Sequence, residues 1–260
     1  MDTYELQEVT HGIYALAAWD SSWNSYNNCY VIAGDTGLTL IDSGKTDHSD
    51  LLVAALARLE KSPDDVKELL ATHGHRDHVG GSVVLSRAHK AIHPLDLPML
   101  PDSVRSSFTQ SLPSDGVLGE LESALLGQHT TGSIALFHRP TRVLFCGDHI
   151  CFFGTPFSDE GFVSRAQDTR DRFTQFVADW AQHWPPSEEG RKWIADDLAG
   201  RSPQDRERHN FDLFVAGVKA LQQFNAVALC TGHGTVLLGE IPAFLRGLTS
   251  AATRSGPGVR

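Results

Sequence analysis

Hydrophobic and polar positions alternate in short runs over the first forty residues: YELQEVTHGIYAL, then NCYVIAG and GLTLIDSG, the last two separated by the turn signal Gly34-Asp35. A period of two predicts antiparallel strands. Over residues 47–60, DHSDLLVAALARLE, the period changes: Leu51, Leu52, Ala55, Leu56 and Leu59 fall on one helical stripe, with a polar start and Pro63 beyond the end. VKELLATH then reads as a short apolar strand ending on His73, VGGSVVLSRAHK as a helix entered through glycines, and KAIHP as a further strand. This rhythm is that of a β–α unit, so the fold mixes antiparallel hairpins with crossover helices. Farther on, GSIALFHRPTRVLFCGD has two β-rich runs flanking a hairpin signal at 139–142.

The pattern changes after residue 151. Helical stretches such as TRDRFTQFVADWAQHW, with a break at Pro185-Pro186, occupy a region rich in Arg, Asp, Gln and Trp. Residues 163–208 carry eight Lys or Arg against nine Asp or Glu, which describes solvated helix faces rather than a basic groove. The stretch at about 151–210 reads as a helical insertion in one domain spanning 1–260, serving as a substrate cap or as a homodimer surface. FDLFVAGVKALQQF restores a helix, AVALC a strand, and IPAFLRGLTSAA a closing helix.

Composition narrows the function classes. A hydrophobic content of 41% with 21% charged residues suits a globular chain, and no window approaches the ~20 apolar residues of a membrane helix. The net charge of −10 argues against a nucleic-acid partner, whose phosphates call for clustered Lys and Arg, and leaves a small-molecule substrate. The N-terminus lacks a signal-peptide pattern, and the four cysteines, Cys29, Cys146, Cys151 and Cys230, show no paired spacing. A cytoplasmic protein with reduced, buried thiols is the expectation.

The chemistry concentrates in ATHGHRDHVGGS, residues 71–82. His73 and His75 alternate at a strand end, and Asp77 and His78 follow in a turn. Imidazole nitrogen and carboxylate oxygen are donors that a divalent ion such as zinc accepts at about 2.0–2.2 Å. The consecutive pair projects differently from the alternating pair, so two adjacent ions suit the stretch better than one. Further donors must come from loops that follow strands. Three stretches qualify, each flanked by small residues: QHTTGS with His129, LFCGDHI with Asp148 and LCTGHGT with His233.

With these motifs assembled, the sequence from about residue 10 to 235 resembles the metallo-β-lactamase fold superfamily. HGHRDH matches its His-x-His-x-Asp-His signature, and LIDSG matches the strand-end aspartate motif that precedes it. The resemblance implies an α/β (α+β) fold, a four-layer αββα sandwich of two mixed β-sheets flanked by helices. It implies two divalent metal ions, zinc foremost, with iron or manganese compatible with the same donors. His73, His75 and His129 would hold one ion, Asp77, His78 and His233 the other, and Asp148 would bridge them. Asp42 would orient a ligand imidazole through its other ring nitrogen. Gln128 and Thr131 depart from the glycine and proline often found at those positions in the family.

The implied activity is hydrolysis, with Asp77 in addition accepting a hydrogen bond from the attacking hydroxide and passing a proton to the leaving group. The bridging Asp148 points to the glyoxalase II-like and lactonase-like branch acting on a small ester, thioester or lactone, rather than to a true β-lactamase. Only about 27 residues follow His233, too few for a glutathione-binding helical domain. Ribonuclease Z-like phosphodiester cleavage, β-lactam amide hydrolysis and mononuclear-iron persulfide oxidation are the alternatives. Trp19, Trp23 and Tyr26, in a polar loop between two early strands, are candidate substrate contacts. His149 neighbours Asp148 on a strand and should face away from the metals.

Overall fold

The alternating segments at the start of the chain pair into a meander. In the computed structural model, β1 (Tyr4–Thr10), β2 (Ile13–Asp20), β3 (Ser25–Gly34) and β4 (Gly37–Ile41) are antiparallel neighbours, and β5 (Val66–Leu70), β6 (His89–Ile92) and β7 (Phe108–Ser111) extend the sheet in parallel. A second mixed sheet contains β8 (Asp115–Leu118), β9 (Leu121–Leu125), β10 (Ile134–His138), β11 (Val143–Gly147), β12 (Val163–Ser164), β13 (Ala228–Thr231) and β14 (Val236–Leu238), in the spatial order β12-β14-β13-β11-β10-β9-β8. The helices are α1 (Ser49–Arg58), α2 (Arg76–Val79), α3 (Asp102–Arg105), α4 (Gln167–Gln182), α5 (Pro203–Leu221) and α6 (Ile241–Thr253). The structure describes residues 3–182 and 203–253.

Three apolar layers hold four layers of structure together, as the αββα expectation requires. Between the sheets lie Ala15, Ala17, Tyr30, Ile41 and Leu70 from one side and Leu136, Phe145, Cys230 and Val236 from the other. The outer face of the first sheet packs Leu40 and Leu69 against Leu52 and Leu56 of α1. On the outer face of the second sheet, Leu144, Leu229 and Leu237 meet Val177 of α4, Phe214 and Val218 of α5, and Leu245 of α6. Strand β11 explains its own unbroken apolar run: Val143 and Phe145 point between the sheets, Leu144 and Cys146 point to the helices, and no position faces water.

One expectation needs adjustment. The segment predicted as a helix at VGGSVVLSRAHK begins on Val79, the last residue of the single-turn α2, and continues only as a 3-10 turn, Gly80–Val84. The glycines set this limit, because a Cβ on Gly81 would lie 2.0 Å from the Ser43 carbonyl oxygen and one on Gly80 would lie 2.4 Å from the Thr46 nitrogen. The chain is pressed onto the segment after β4 and cannot wind on as a free helix. Within the stretch predicted as a cap, α4 and α5 pack in the outer helical layer beside α6, while residues 183–202, including Pro185-Pro186, lie outside the described residues. No described helix is long and apolar enough to cross a membrane.

The sheets bring four strand ends to one edge. Beyond β4 comes Asp42, beyond β5 Thr72 and His73, beyond β11 Asp148, and beyond β13 His233. Backbone hydrogen bonds stitch the sheets there: Ile134 donates to the Thr72 carbonyl (2.9 Å), Asn28 to that of Gly232 (2.8 Å) and Gly232 to that of Gly147 (2.8 Å). Phe145 fills the layer behind this edge and is fully buried. Phe145→Ala should therefore cost about 3–5 kcal/mol of stability, measurable as a lower midpoint in chemical denaturation.

Candidate metal centre

Seven side chains from four segments converge at that edge. The first group is His73, His75 and His129, with His73 Nε2 3.1 Å from His75 Nδ1 and His129 Nε2 2.9 Å from the same His75 nitrogen. The second is Asp77, His78 and His233, with Asp77 Oδ2 3.6 Å from His78 Nε2 and 3.4 Å from His233 Nε2. Asp148 lies between them. Its Oδ2 is 3.3 Å from His129 Nε2 and 3.2 Å from His233 Nε2, while its Oδ1 is 3.4 Å from His78 Nε2. All seven predicted donors are brought together, in the predicted grouping.

These spacings fit a divalent metal centre. Donors held at about 2.0–2.2 Å around a tetrahedral ion stand roughly 3.3–3.6 Å from one another, which is where most of these pairs lie. His78 Nε2 and Asp148 Oδ1 are buried and have no hydrogen-bond partner among the described residues, although both are aimed into the cluster. Unpaired polar atoms in so buried a place are costly, and an ion satisfies both. Gly232 makes room for them, since a Cβ there would lie 1.9 Å from Asp148 Oδ1 and 2.8 Å from His78 Cε1.

The rest of the shell fixes ring orientation. Asp42 adopts a left-handed backbone, φ 59°, and aims its carboxylate back under the cluster. It accepts from the Thr72 backbone N–H (2.7 Å) and hydroxyl (2.8 Å), and its Oδ2 lies 2.9 Å from His78 Nδ1. That pairing turns His78 Nε2 towards the cluster, the role expected of Asp42. His233 is held likewise, its Nδ1 donating to the Tyr26 carbonyl at 2.8 Å. His149 faces away as expected: it is buried against Phe214, its Nε2 lying 3.1 Å from the Phe214 carbonyl oxygen.

Charge is strongly coupled in this cluster. Burial opposes ionisation of Asp77, yet the imidazoles of His78 and His233 hold its carboxyl down at about 2. Burial likewise opposes the charged form of His233, but Asp148 and Asp77 lift it to about 9. His129 follows burial and falls to about 4. Without an ion the second group therefore keeps a proton on His233 at neutral pH, and metal must displace it.

One residue that the sequence reading passed over ties the centre together. Asp96, fully buried in the turn after β6, accepts from the Gly74 N–H (2.8 Å), the Thr130 hydroxyl (2.6 Å) and the Gly132 N–H (2.7 Å). It thus clamps the loop of His73 and His75 to the loop of His129. Its only sequence signal is an acid between prolines in HPLDLP, which reads as an ordinary turn. Asn28 is a second such residue, its Nδ2 donating to the Gly234 (2.8 Å) and Thr231 (3.0 Å) carbonyls on either side of His233.

The three aromatic candidates sit at the β2–β3 hairpin, with Trp19 and Tyr26 at the strand ends and Trp23 in the turn. Trp19 packs edge-on to Tyr26, and Tyr26 stacks on Phe157. Trp23 instead leans on exposed Phe153, whose ring meets His233 at 4.9 Å between centroids. Phe153 was also missed, because it lies in a segment without a motif.

A family model described as the metallo-beta-lactamase superfamily matches residues 23–233. The chain belongs to the metallo-beta-lactamase superfamily. Among curated proteins no relative matches. Solved structures similar to this superfamily member include a mutant of the flavo-di-iron protein from Thermotoga maritima (TM-score 0.70, 14% identity, 97% of this chain covered). This chain spans 62% of that protein's length. The apo state of the chemotaxis sensor ODP from T. denticola gives a TM-score of 0.63 at 16% identity, covering 95% of this chain and 94% of that one. The metallo-beta-lactamase from Pontibacter korlensis gives 0.58 at 15% identity, covering 96% and 99%. At these identities the likeness is one of fold.

Two outcomes follow for this superfamily member. Asp96→Asn keeps the shape but presents an amide N–H where donors now converge, so metal affinity should fall about 10–100-fold, read by competition with a chromogenic chelator. Zinc binding at pH 7 should release protons, and affinity should rise with pH, because nearby carboxylates lift His233 to about 9 and hold His78 well above the ordinary imidazole range. Calorimetry in buffers of different ionisation enthalpy measures this directly.

Proposed function

We propose that the chain is a dinuclear metal-dependent hydrolase that cleaves a small ester, thioester or lactone. The observation that carries this reading is Asp148, whose two oxygens face both donor groups at once. Five imidazoles and two carboxylates form a nitrogen-rich set that suits zinc. When bound, two such ions supply an activated water and polarise the carbonyl oxygen under attack.

The protein's own contribution is orientation and proton handling. Asp77 is buried, held ionised by its histidine neighbours, and placed to accept a proton and return it to the leaving group. His75 and His129 are only partly buried, and Phe153 stands beside His233 with Trp23 against it, so substrate would enter between these two sides. Work in the cytoplasm agrees with four cysteines that form no disulfide. Gln128 Nε2, next to His129, donates to Asn210 Oδ1 at 2.7 Å. That contact brings the end of the 151–210 insertion to the rim, in keeping with a cap.

A second reading, a di-iron redox centre, draws support from the likeness to the flavo-di-iron protein. Elemental analysis of the purified protein separates the two, as zinc supports hydrolysis and iron with a visible absorption band supports redox chemistry. A panel of lactones, thioesters, β-lactams and phosphodiesters then identifies the bond cleaved. Asp77→Asn and His78→Ala should each lower kcat/KM by at least about 100-fold with the circular dichroism spectrum retained. Full turnover in both variants would remove this mechanism.

A further inference from the structure

Two cations lean on the ring of Trp23 at the tip of the β2–β3 hairpin. Lys45 Nζ lies 4.2 Å from the ring centroid and the Arg76 guanidinium carbon 5.3 Å from it. Their counter-charges differ. Lys45 pairs with Asp20, a buried carboxylate that also accepts from the Ser22 N–H (2.9 Å) and hydroxyl (2.5 Å). This pair braces the hairpin tip and is electrically balanced. Arg76 is exposed and pairs with no carboxylate among the described residues.

The setting of Arg76 makes that imbalance meaningful. It is the first residue of α2, between His75 and Asp77, so its backbone is held by the same turn that places two candidate metal donors. Its side chain crosses to Trp23, Trp23 meets Phe153 at 5.8 Å between centroids, and Phe153 meets His233 at 4.9 Å. An unbalanced guanidinium and two aromatic rings thus lead in sequence to the metal centre. In a chain of net charge −10, Arg76 is thus a cation at the rim of the metal centre whose packing partner is an aromatic ring and not a carboxylate.

We propose that Arg76 and Trp23 form a subsite for an anionic oxygen group at the far end of the substrate, so that acyl chains ending in a carboxylate or phosphate are preferred over neutral ones. The guanidinium presents paired N–H donors that match either group in a bidentate way. Stacking on the indole keeps its plane fixed, and Phe153 and Trp23 cover the apolar stem between the anion and the scissile carbonyl. Lys45 acts as a positioning residue through its grip on the same ring. This assignment rests on the hydrolase reading above and narrows its substrate class.

The test compares thioesters of equal chain length on the metal-loaded full chain: pentanoyl, glutaryl and a phosphate-terminated analogue. The expected result is a kcat/KM preference for an anionic substrate of about tenfold or more, collapsing in Arg76→Gln and partly restored in Arg76→Lys. The larger of the two anionic values tells carboxylate from phosphate. A preference for the neutral thioester, or a ratio unchanged in Arg76→Gln, overturns the proposal. If no thioester or other ester is cleaved, the hydrolase reading fails and tryptophan fluorescence tests the subsite alone. A saturable change on adding glutarate or inorganic phosphate, absent in Trp23→Phe and in Arg76→Gln, sustains it. No saturable change with either anion overturns it.

Discussion

A carboxylate buried among imidazoles is the constraint around which this molecule is arranged. Asp148 lies at the end of β11, between His129 and His233, with His78 facing its other oxygen. Removing such a charge from water is costly unless compensating charge is placed around it. Its surroundings supply that compensation through histidines drawn from both sheets. Each histidine needs its second ring nitrogen satisfied, which brings in Asp42 and the Tyr26 carbonyl. The centre is therefore supported outward in layers, and its geometry belongs to no single element.

The sandwich suits this demand because parallel and antiparallel pairing are combined in both sheets. Strands β4, β5, β11 and β13 all end at the same edge, and glycines there let their loops approach one another closely. Gly147 adopts φ 51° just before Asp148, and Gly232 precedes His233 with no room for a side chain. Asp96 supplies a cross-tie between loops at Gly74 and Gly132, far apart in sequence, through bonds of 2.8 and 2.7 Å. The same architecture underlies a flavo-di-iron protein, a chemotaxis sensor and a metallo-beta-lactamase. Chemistry is accordingly decided by the donor set and the walls of the site, and the layers only present them.

Much of this was legible from residue order. Donor residues occur in short, distinctive patterns because a metal centre needs particular atoms in particular local spacings, so HGHRDH, GDH and GHG stand out even in a single sequence. The apolar periods of α1, β5, β11 and α6 were equally plain, since each buries a fixed stripe or both faces. The short strands β7, β8, β12 and β14 were not. They have two to four residues each, too few for a period to show, and they are strands because a neighbouring edge accepts them.

By itself the sequence determined the family, the seven candidate donors and the long elements, because those depend on residue types at short separations. Tertiary structure decided everything that depends on meetings across the chain. It shortened the segment after His78 to a tight turn by pressing Gly81 onto Ser43. It gave Asp96 three hydrogen-bond donors that no local pattern predicts, and it set both Arg76 and Phe153 against Trp23. Asp96 and Arg76 are ordinary charged turn residues until a distant loop is folded against them, and contacts of that kind are fixed by packing rather than by composition.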